Sequence, residues 1–172
     1  MLKILQIKKT IEEMSITDYL TKLYNRREIE SVIETEITRA DRYSTNFSIV
    51  FIDIDKFKNI NDTFGHNVGD DVLVELSKIL KLKSRKTDTV GRWGGEEFII
   101  VCSETDIDGA FDFANNLRET IENHKFLTVK QITISCGISQ YEKTDTLSSV
   151  IAKAAGALYQ AKETGRNKVE KG

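Results

Sequence analysis

The chain contains 172 residues, the size of one domain with room for a short extension. It is 40% hydrophobic and 30% charged, and its net charge of −2 gives no long-range attraction for nucleic acid or an anionic membrane surface. We find neither a membrane-spanning stretch nor a signal peptide, so a cytoplasmic location is expected, and both cysteines lie in apolar runs that suit a core.

The first 17 residues are predicted to form a separate helical segment. Its apolar residues, spaced by three, four and three positions, are Ile4, Ile7, Ile11 and Met14. This spacing is typical of a coiled-coil seam, although two heptads are short for one, and a helix docked on the domain would show the same pattern. We favour the end of a longer stalk, which would connect to a sensor domain upstream of this chain.

The chain from residue 18 to residue 172 is expected to form one domain. Asn25 can cap a helix that begins after it. The apolar run at 47–54 is typical of a central strand that is covered on both faces. A short helix and a longer one follow, and we expect a break between them at Gly65 and Gly69.

The second half of the domain begins with a predicted β-hairpin. Strands at 88–93 and 97–102 flank a Gly-Gly turn, and a helix follows them. The alternating stretch ITISCGIS at 132–139 predicts a half-buried strand, and after a last helix GRNKVE at 165–170 predicts an edge strand. The helix residues expected to face the core are Ile29, Val32, Ile33, Ile37, Ala40, Val72, Leu73, Leu76, Ile79, Leu80, Ala110, Phe113, Ala114, Leu117, Ile121, Leu147, Val150, Ile151, Ala154 and Leu158.

This order of elements predicts a central mixed, partly antiparallel sheet flanked by helices, in the α/β or α+β class. The chain has neither of the glycine-rich phosphate loops G-x-G-x-x-G and G-x-x-x-x-G-K-[ST], which argues against a doubly wound nucleotide fold. A nucleoside triphosphate bound here would therefore depend on metal ions to balance much of its charge.

Carboxylates are concentrated at two predicted turns. In GRWGGEEF the Gly-Gly turn is followed by Glu96 and Glu97, and the long apolar strand ends with Asp53 and Asp55. Burying a carboxylate there costs free energy unless a cation meets it, although Asp55 could equally cap the next helix. If the hairpin lies beside the strand, its turn brings Glu96 near Asp53 and the carbonyl of Ile54. Two carboxylates and a carbonyl oxygen form a hard site suited to Mg²⁺, as in enzymes that use two ions about 3.5–4 Å apart.

Five blocks of sequence together resemble the GGDEF family of diguanylate cyclases. The blocks are DYLTKLYNRR (18–27), DIDKFKNINDTFGHNVGDDVL (53–73), RWGGEEF (92–98), ITISCGIS (132–139) and ALYQAKETGRNKV (157–169). The resemblance implies a palm-like fold shared with nucleotidyl cyclases. It also implies a nucleotidyltransferase that condenses two GTP into cyclic di-GMP, each GTP held by one protomer of a transient homodimer.

The resemblance also implies the catalytic residues. Asp53, Glu96 and the carbonyl of Ile54 would ligate two Mg²⁺ ions, for which Mn²⁺ can substitute, and Glu97 would stand beside them. Each 3′-hydroxyl would attack the α-phosphorus of the other GTP and expel pyrophosphate. Glu96 is also the candidate base for that hydroxyl, and Lys58 matches the lysine that stabilises negative charge in the transition state.

Substrate binding is carried over in the same way. Lys162 and Arg166 match the pair that grips the outer phosphates, although such charges also suit any helix C-terminus. Asp70 matches the carboxylate that accepts from the adjacent N1–H and N2–H donors of guanine, and Asn61 can bond the remaining polar edge of the base. His66 matches a position beside the ligand and could equally orient the turn.

A second nucleotide site is indicated by Arg85 and Asp88, which form an R-x-x-D motif whose aspartate lies six residues before Gly94. The family often carries a feedback site for cyclic di-GMP at this place, and an arginine there can fork onto guanine or phosphate. The family's second arginine corresponds to Asn116 here, and Arg118 lies nearby. We therefore expect product inhibition with a weaker clamp than is usual.

Three positions depart from the family pattern. Tyr19 and Lys22 replace a common proline and a glycine, and Ala155 replaces an aspartate. Two alternatives to an active cyclase remain open at this point. One is a catalytically silent module that binds GTP or cyclic di-GMP as a sensor, and the other is a cyclase with relaxed purine choice. No nucleic acid partner is expected.

Overall fold

The computed structural model describes residues 3, 4, 6, 7, 11 and 15–172. The helices from residue 15 onwards are α1 (Arg26–Tyr43), α2 (Phe57–Phe64), α3 (His66–Lys83), α4 (Ile107–Asn123) and α5 (Leu147–Glu163). The strands are β1 (Phe47–Ile54), β2 (Thr89–Gly94), β3 (Glu97–Ser103), β4 (Ile134–Gln140) and β5 (Val169–Lys171). No helix in this part of the chain is long and apolar enough to cross a membrane.

The predicted N-terminal seam is only partly visible. Ile4, Ile7 and Ile11 are helical and exposed, whereas Met14 lies outside the described residues. An exposed apolar seam suits a helix that packs on a partner better than one docked on its own domain. The boundary between stalk and domain at residues 17 and 18 stays a prediction.

The five strands form one sheet in the order β2-β3-β1-β4-β5. Strand β1 lies at the centre and pairs antiparallel with both β3 and β4, while β5 pairs parallel with β4 at the edge. The prediction of a mixed sheet with 47–54 at its centre is therefore confirmed.

Alternate residues of β1 face two different layers of helices. Val50, Ile52 and Ile54 pack in one core with α2, α3 and α4. Ile49 and Phe51 pack in the other core, with α1 and α5. Asp53 continues this second series, so its side chain reaches the sheet face that α5 covers.

Strand β4 differs from its prediction, which was a half-buried strand. It is buried from Ile134 to Ser139, because helices cover both of its faces. Gly137 allows α5 to pack this closely, since a Cβ there would overlap the carbonyl oxygen of Ala154 and the amide nitrogen of Leu158. This close packing brings the C-terminal end of α5 to the end of β1.

The predicted break between the two helices after β1 occurs only at Gly65, whose φ is +90°. Gly69 lies inside α3, so the expectation of a break there was wrong. A Cβ at Gly69 would overlap the side-chain amide oxygen of Asn61. The glycine therefore has a packing role, because it lets α3 pass close to α2.

The turn before α1 forms despite the Lys22 replacement. Lys22 adopts a left-handed conformation with φ of 61°, which a glycine would adopt without strain. Asp18 holds the turn by accepting from the amide and the hydroxyl of Thr21 at 2.9 and 2.8 Å. Asn25 caps α1 as predicted, by accepting from the amide of Glu28.

Candidate active site

Sheet register brings the Gly-Gly hairpin to the end of β1. Glu97 lies opposite Asp53 in the β1–β3 pair, and the Ile54 amide donates to the main-chain carbonyl of Glu96 at 3.4 Å. The structure therefore gathers the four residues of the predicted metal site at one end of the central strand. Their roles as ligands stay predictions.

An arginine fixes the tip of the hairpin. Gly95 has a positive φ of 50°, and the register of the hairpin shifts between Arg92 and Gly94. The Arg92 guanidinium donates to the carbonyl of Gly95 from Nε at 3.0 Å and from Nη2 at 2.8 Å. It also forms an ion pair with Asp18 at 3.2 Å. The turn before α1 and the hairpin tip are thus held together.

The electrostatics of the cluster are only partly balanced. Asp53 is 4% exposed, and its Oδ2 lies 3.0 Å from Nζ of Lys162. The pKa of Asp53 is raised to about 6, mainly by burial; Lys162 opposes this rise, whereas Glu96 and Glu97 add to it. The pKa of Glu97 is also raised, first by burial and then by Glu96, against the opposing charges of Lys162 and Arg26. The site therefore holds more negative charge than its own cations neutralise.

This excess of acidic oxygen suits a hard cation. The carboxylates of Asp53 and Glu96 and the carbonyl of Ile54 are oxygen ligands of the kind that Mg²⁺ prefers. Within residues 15–172 and the few described before them, no group of three or more His, Cys, Asp or Glu side chains is arranged to hold a metal ion. A bound Mg²⁺ would therefore need the carbonyl oxygen, water and substrate phosphate to complete its shell.

The predicted phosphate-binding residues lie at the C-terminal end of α5. Lys162 reaches Asp53, as described above, and Arg166 is exposed in the turn that follows the helix. Arg166 lines a cavity of about 550 Å³ together with Lys56. Lys162 and Arg166 thus border the end of β1 from the α5 side.

The predicted guanine-binding residues lie on α2 and α3. Asn61 is half-buried against Gly69, and Asp70 is the next residue on α3, where it is exposed. His66 is exposed in the first turn of α3, and Lys58 is exposed in the first turn of α2. The break at Gly65 lets these two helices lie side by side, with Asn61 against Gly69. The roles of Asn61, His66, Asp70 and Lys58 toward a ligand stay predictions.

Asp55 does not cap α2, which corrects one of the two sequence interpretations. The N-cap position of α2 is Lys56, without a side-chain hydrogen bond. Asp55 is buried and accepts from the hydroxyls of Ser135 at 2.6 Å and Thr133 at 2.7 Å, and from the amide of Asn167 at 2.9 Å. The Thr-x-Ser spacing at the start of β4 was a weak signal for this contact.

The predicted inhibitory pair forms a tight turn. The Arg85 amide donates to Oδ2 of Asp88 at 2.8 Å, and the Asp88 amide donates to the carbonyl of Arg85 at 3.0 Å. Oδ1 of Asp88 is buried without a hydrogen-bond partner among the described residues, and burial raises the pKa of this carboxyl. The pair borders a cavity of about 370 Å³ that Lys22 and Lys81 also line.

Arg118 is committed elsewhere. Its guanidinium bonds Glu122 at 2.8 Å and the side-chain oxygen of Asn167 at 3.0 Å. Asn116, at the position of the family's second arginine, is exposed on the same helix. The expectation of a weaker clamp at Arg85 therefore stays a prediction, and Arg118 has a structural task of its own.

The sequence profile described as "Diguanylate cyclase, GGDEF domain" matches residues 15–168. The chain belongs to this GGDEF domain family. The diguanylate cyclase DosC of Escherichia coli (strain K12) is 39% identical over 157 residues, which is 89% of this chain and 34% of DosC. The chain spans about a third to a half of the length of the curated relatives it matches.

Solved structures agree with the family and the fold. The active GGEEF domain of a diguanylate cyclase from Vibrio cholerae is 36% identical, with a TM-score of 0.81 over 86% of this chain and 96% of that one. The GGDEF domain of DgcB from Caulobacter crescentus, in complex with c-di-GMP, is 27% identical, with a TM-score of 0.87 over 91% of this chain and 95% of that one. The predicted family and fold class are confirmed.

Proposed function

We propose that this domain is a diguanylate cyclase that condenses two GTP into one cyclic di-GMP and two pyrophosphates. The observation that carries the proposal is the gathering of Asp53, Glu96 and Glu97 at one end of the central strand, beside Lys162. Membership of the GGDEF family and the relatives named as diguanylate cyclases support it.

Divalent metal is part of the proposal. Asp53, Glu96 and the carbonyl of Ile54 would hold Mg²⁺, or Mn²⁺ in its place, with Glu97 beside them. When bound, such ions lower the pKa of a hydroxyl and neutralise phosphate charge. The ion pair with Lys162 favours the ionised form of Asp53 that a metal ligand requires and offsets part of the rise in pKa that burial causes.

The remaining side chains bind and orient the substrate. Lys162 and Arg166 supply positive charge for the outer phosphates, and the exposed Lys58 can meet the charge that develops in the transition state. Glu96 is the candidate acceptor for the 3′-hydroxyl proton.

Base choice would be set on α2 and α3. Asp70 can accept from N1–H and N2–H of guanine side by side, a donor pair that adenine lacks. The side-chain amide of Asn61 can bond the remaining polar edge of the base. His66 lies one turn before Asp70, at the start of α3. A site built to bond these donors rejects a base without them, because its carboxylate would remain unpaired.

The reaction requires two copies of the domain, because each is proposed to hold one GTP. The exposed Ile4, Ile7 and Ile11 offer a seam for association, but two heptads are too short to hold a dimer firmly. Specific activity should therefore rise with protein concentration. Activity strictly proportional to enzyme over a wide dilution range would contradict the dimer.

The test of function is product analysis. Purified protein is incubated with Mg²⁺ and GTP, ATP or both, and the products are separated and identified by mass. We expect cyclic di-GMP from GTP and nothing from ATP. Nucleotide binding without product would support the silent module, and mixed cyclic dinucleotides would support relaxed purine choice.

A further inference from the structure

The turn after α5 has an unusual backbone. Gly165, Arg166 and Asn167, here called the C-terminal turn, all have positive φ, at 122°, 63° and 45°. Glycine adopts such angles freely and asparagine adopts them more readily than most residues, but an arginine does so at a cost that surrounding contacts must offset. The Arg166 amide donates to the carbonyl of Ala161 at 2.9 Å, which ties the start of the turn to α5.

Contacts from two other elements hold the end of the C-terminal turn. The Asn167 amide donates to Oδ2 of Asp55 at 2.9 Å, across 112 positions of sequence. The Asn167 side chain lies on α4, where its Nδ2 donates to Glu122 at 2.8 Å and its Oδ1 accepts from Arg118 at 3.0 Å. The main chain of the turn is thus fixed by the carboxylate of Asp55, and the side chain of Asn167 is fixed by the ion pair between Arg118 and Glu122.

Asp55 is the firmer of these two supports. It is 8% exposed, and the hydroxyls of Thr133 and Ser135 fix its carboxylate independently of the turn. All three donors to Asp55 are neutral: two hydroxyls and one main-chain amide. Its link to Asn167 sits one residue from the exposed Arg166 side chain, in a cavity that Asp55 itself lines.

We propose that Asp55 is a positioning residue for Arg166. By holding the amide of Asn167, it keeps the C-terminal turn in the left-handed conformation from which Arg166 binds the outer phosphates of GTP. This inference rests on the proposed function, because it gives Arg166 a phosphate to bind.

A double-mutant cycle tests the link. We expect Asp55→Ala to raise the KM for GTP about tenfold with little change in kcat, the loss that follows from one hydrogen bond to a charged group. Arg166→Ala should raise KM at least as much. If Asp55 acts through Arg166, the double variant is no worse than Arg166→Ala alone, because coupled residues are not additive.

A conservative variant and a control complete the cycle. Asp55→Asn keeps an oxygen that can accept from Asn167, so we expect it to recover most of the affinity. If the alanine variant does not fold, Asp55→Ser replaces it in the cycle, because its shorter side chain keeps a hydroxyl beside Thr133 and Ser135 but withdraws the oxygen that accepts from the Asn167 amide. Thr133→Val removes another donor from the same oxygen without touching the C-terminal turn, and its KM should stay within about twofold of wild type. Additive effects of Asp55 and Arg166, or an effect on kcat alone, would overturn the inference.

The same four proteins are then compared by their dissociation constants for a GTP analogue whose α–β bridge is a methylene group. These constants are measured by calorimetry in the presence of Mg²⁺. This readout does not depend on turnover. If wild type binds the analogue, shows the expected coupling and makes no cyclic di-GMP, the proposed function fails and the inference stands. If wild type makes cyclic di-GMP without the coupling, only the inference fails.

Discussion

Asp53 and Asp55 stand two residues apart at the end of β1 and are almost equally buried, at 4% and 8% exposed, yet their surroundings differ. Asp55 accepts three hydrogen bonds from neutral donors that belong to β4 and the C-terminal turn. Asp53 has one cation, Lys162, and faces the repulsion of Glu96 and Glu97. The fold satisfies the carboxylate of Asp55, whereas it leaves the carboxylate of Asp53 among negative charges that Lys162 only partly balances.

Burial alone therefore does not identify a functional carboxylate. The informative quantity is how much of its charge the protein leaves uncompensated. Asp88 lies between the two cases, because Oδ2 accepts from the Arg85 amide while Oδ1 is buried without a partner among the described residues. Asp55, Asp88 and Asp53 thus form a series of increasing uncompensated charge, and substitutions at the three sites should have different effects.

The largest effect is expected from Glu96→Gln. The amide keeps the shape of the side chain but removes the negative charge that a Mg²⁺ site needs, so cyclic di-GMP synthesis should fall by roughly a thousandfold or more. Product formation is measured by mass at saturating GTP, and circular dichroism checks the fold. Glu34→Gln, on the exposed face of α1, is the matched control and should keep wild-type activity. A near wild-type rate in Glu96→Gln would mean that the carboxylates at this tip hold no catalytic metal.

Asp53→Asn is expected to separate function from stability. It should lower synthesis as the loss of a metal ligand would, though no more than Glu96→Gln does. In metal-free buffer at pH 7.5 it should nevertheless raise the free energy of unfolding by about 2 kcal/mol, because a buried charge with a raised pKa opposes folding. Asp55→Asn should lower the same quantity by about 1–3 kcal/mol, since it disturbs a carboxylate whose hydrogen bonds are all made. Urea unfolding with EDTA measures both. A loss of stability in both variants would remove the distinction between the two residues.

The pH dependence of that stability gain has a defined sign. The folded pKa of Asp53, about 6, lies above the unfolded value of 3.8, so the folded state takes up this proton first as pH falls. The advantage of Asp53→Asn over wild type is therefore full above pH 7, shrinks as pH falls through 6, and vanishes near pH 4. Unfolding curves at several pH values test this, and a constant advantage at every pH would assign the gain to packing instead of charge.

Much of the fold could be predicted from local sequence. The boundaries of β1 were predicted to the residue. The stretch 47–54 is almost continuously apolar, as suits a strand covered on both faces, and it ends at Ile54, between Asp53 and Asp55. β4 was misjudged because Ser135 and Ser139 suggested a solvent face, whereas the hydroxyl of Ser139 bonds the carbonyl of Val150 on α5. Small polar residues beneath a closely packed helix have the same alternating pattern as an exposed strand.

The site was predictable to the extent that its residues fall in contiguous motifs. Asp53, Glu96 and Lys162 were found in this way, and the structure brings them together. The partners of Asp55 lie 78, 80 and 112 positions away, and one of them is a main-chain amide that no side-chain pattern reveals. Its role in the fold could be seen only once β4 and the C-terminal turn were in place.

Asp88 leads to the last and smallest predicted effect, which concerns product inhibition. The Arg85 side chain is exposed, and its main chain holds Asp88 so that Oδ1 stays buried and unpaired among the described residues. A guanine N1–H could satisfy that oxygen while the Arg85 guanidinium forks onto a second guanine or a phosphate. We therefore expect cyclic di-GMP to inhibit the wild type, and Arg85→Ala to weaken this inhibition about tenfold while synthesis continues.

The matched control for Arg85→Ala is Lys86→Ala, which removes an equal charge from the neighbouring exposed residue. Initial rates are measured over a range of added cyclic di-GMP for the three proteins. If net positive charge alone attracts the product, both variants lose inhibition to a similar degree, because an attraction between charges in water depends little on which side chain carries them. If the fork geometry of the guanidinium is what binds the product, only Arg85→Ala loses inhibition. Equal inhibition of all three proteins would mean that Arg85 is a surface charge with no part in binding the product.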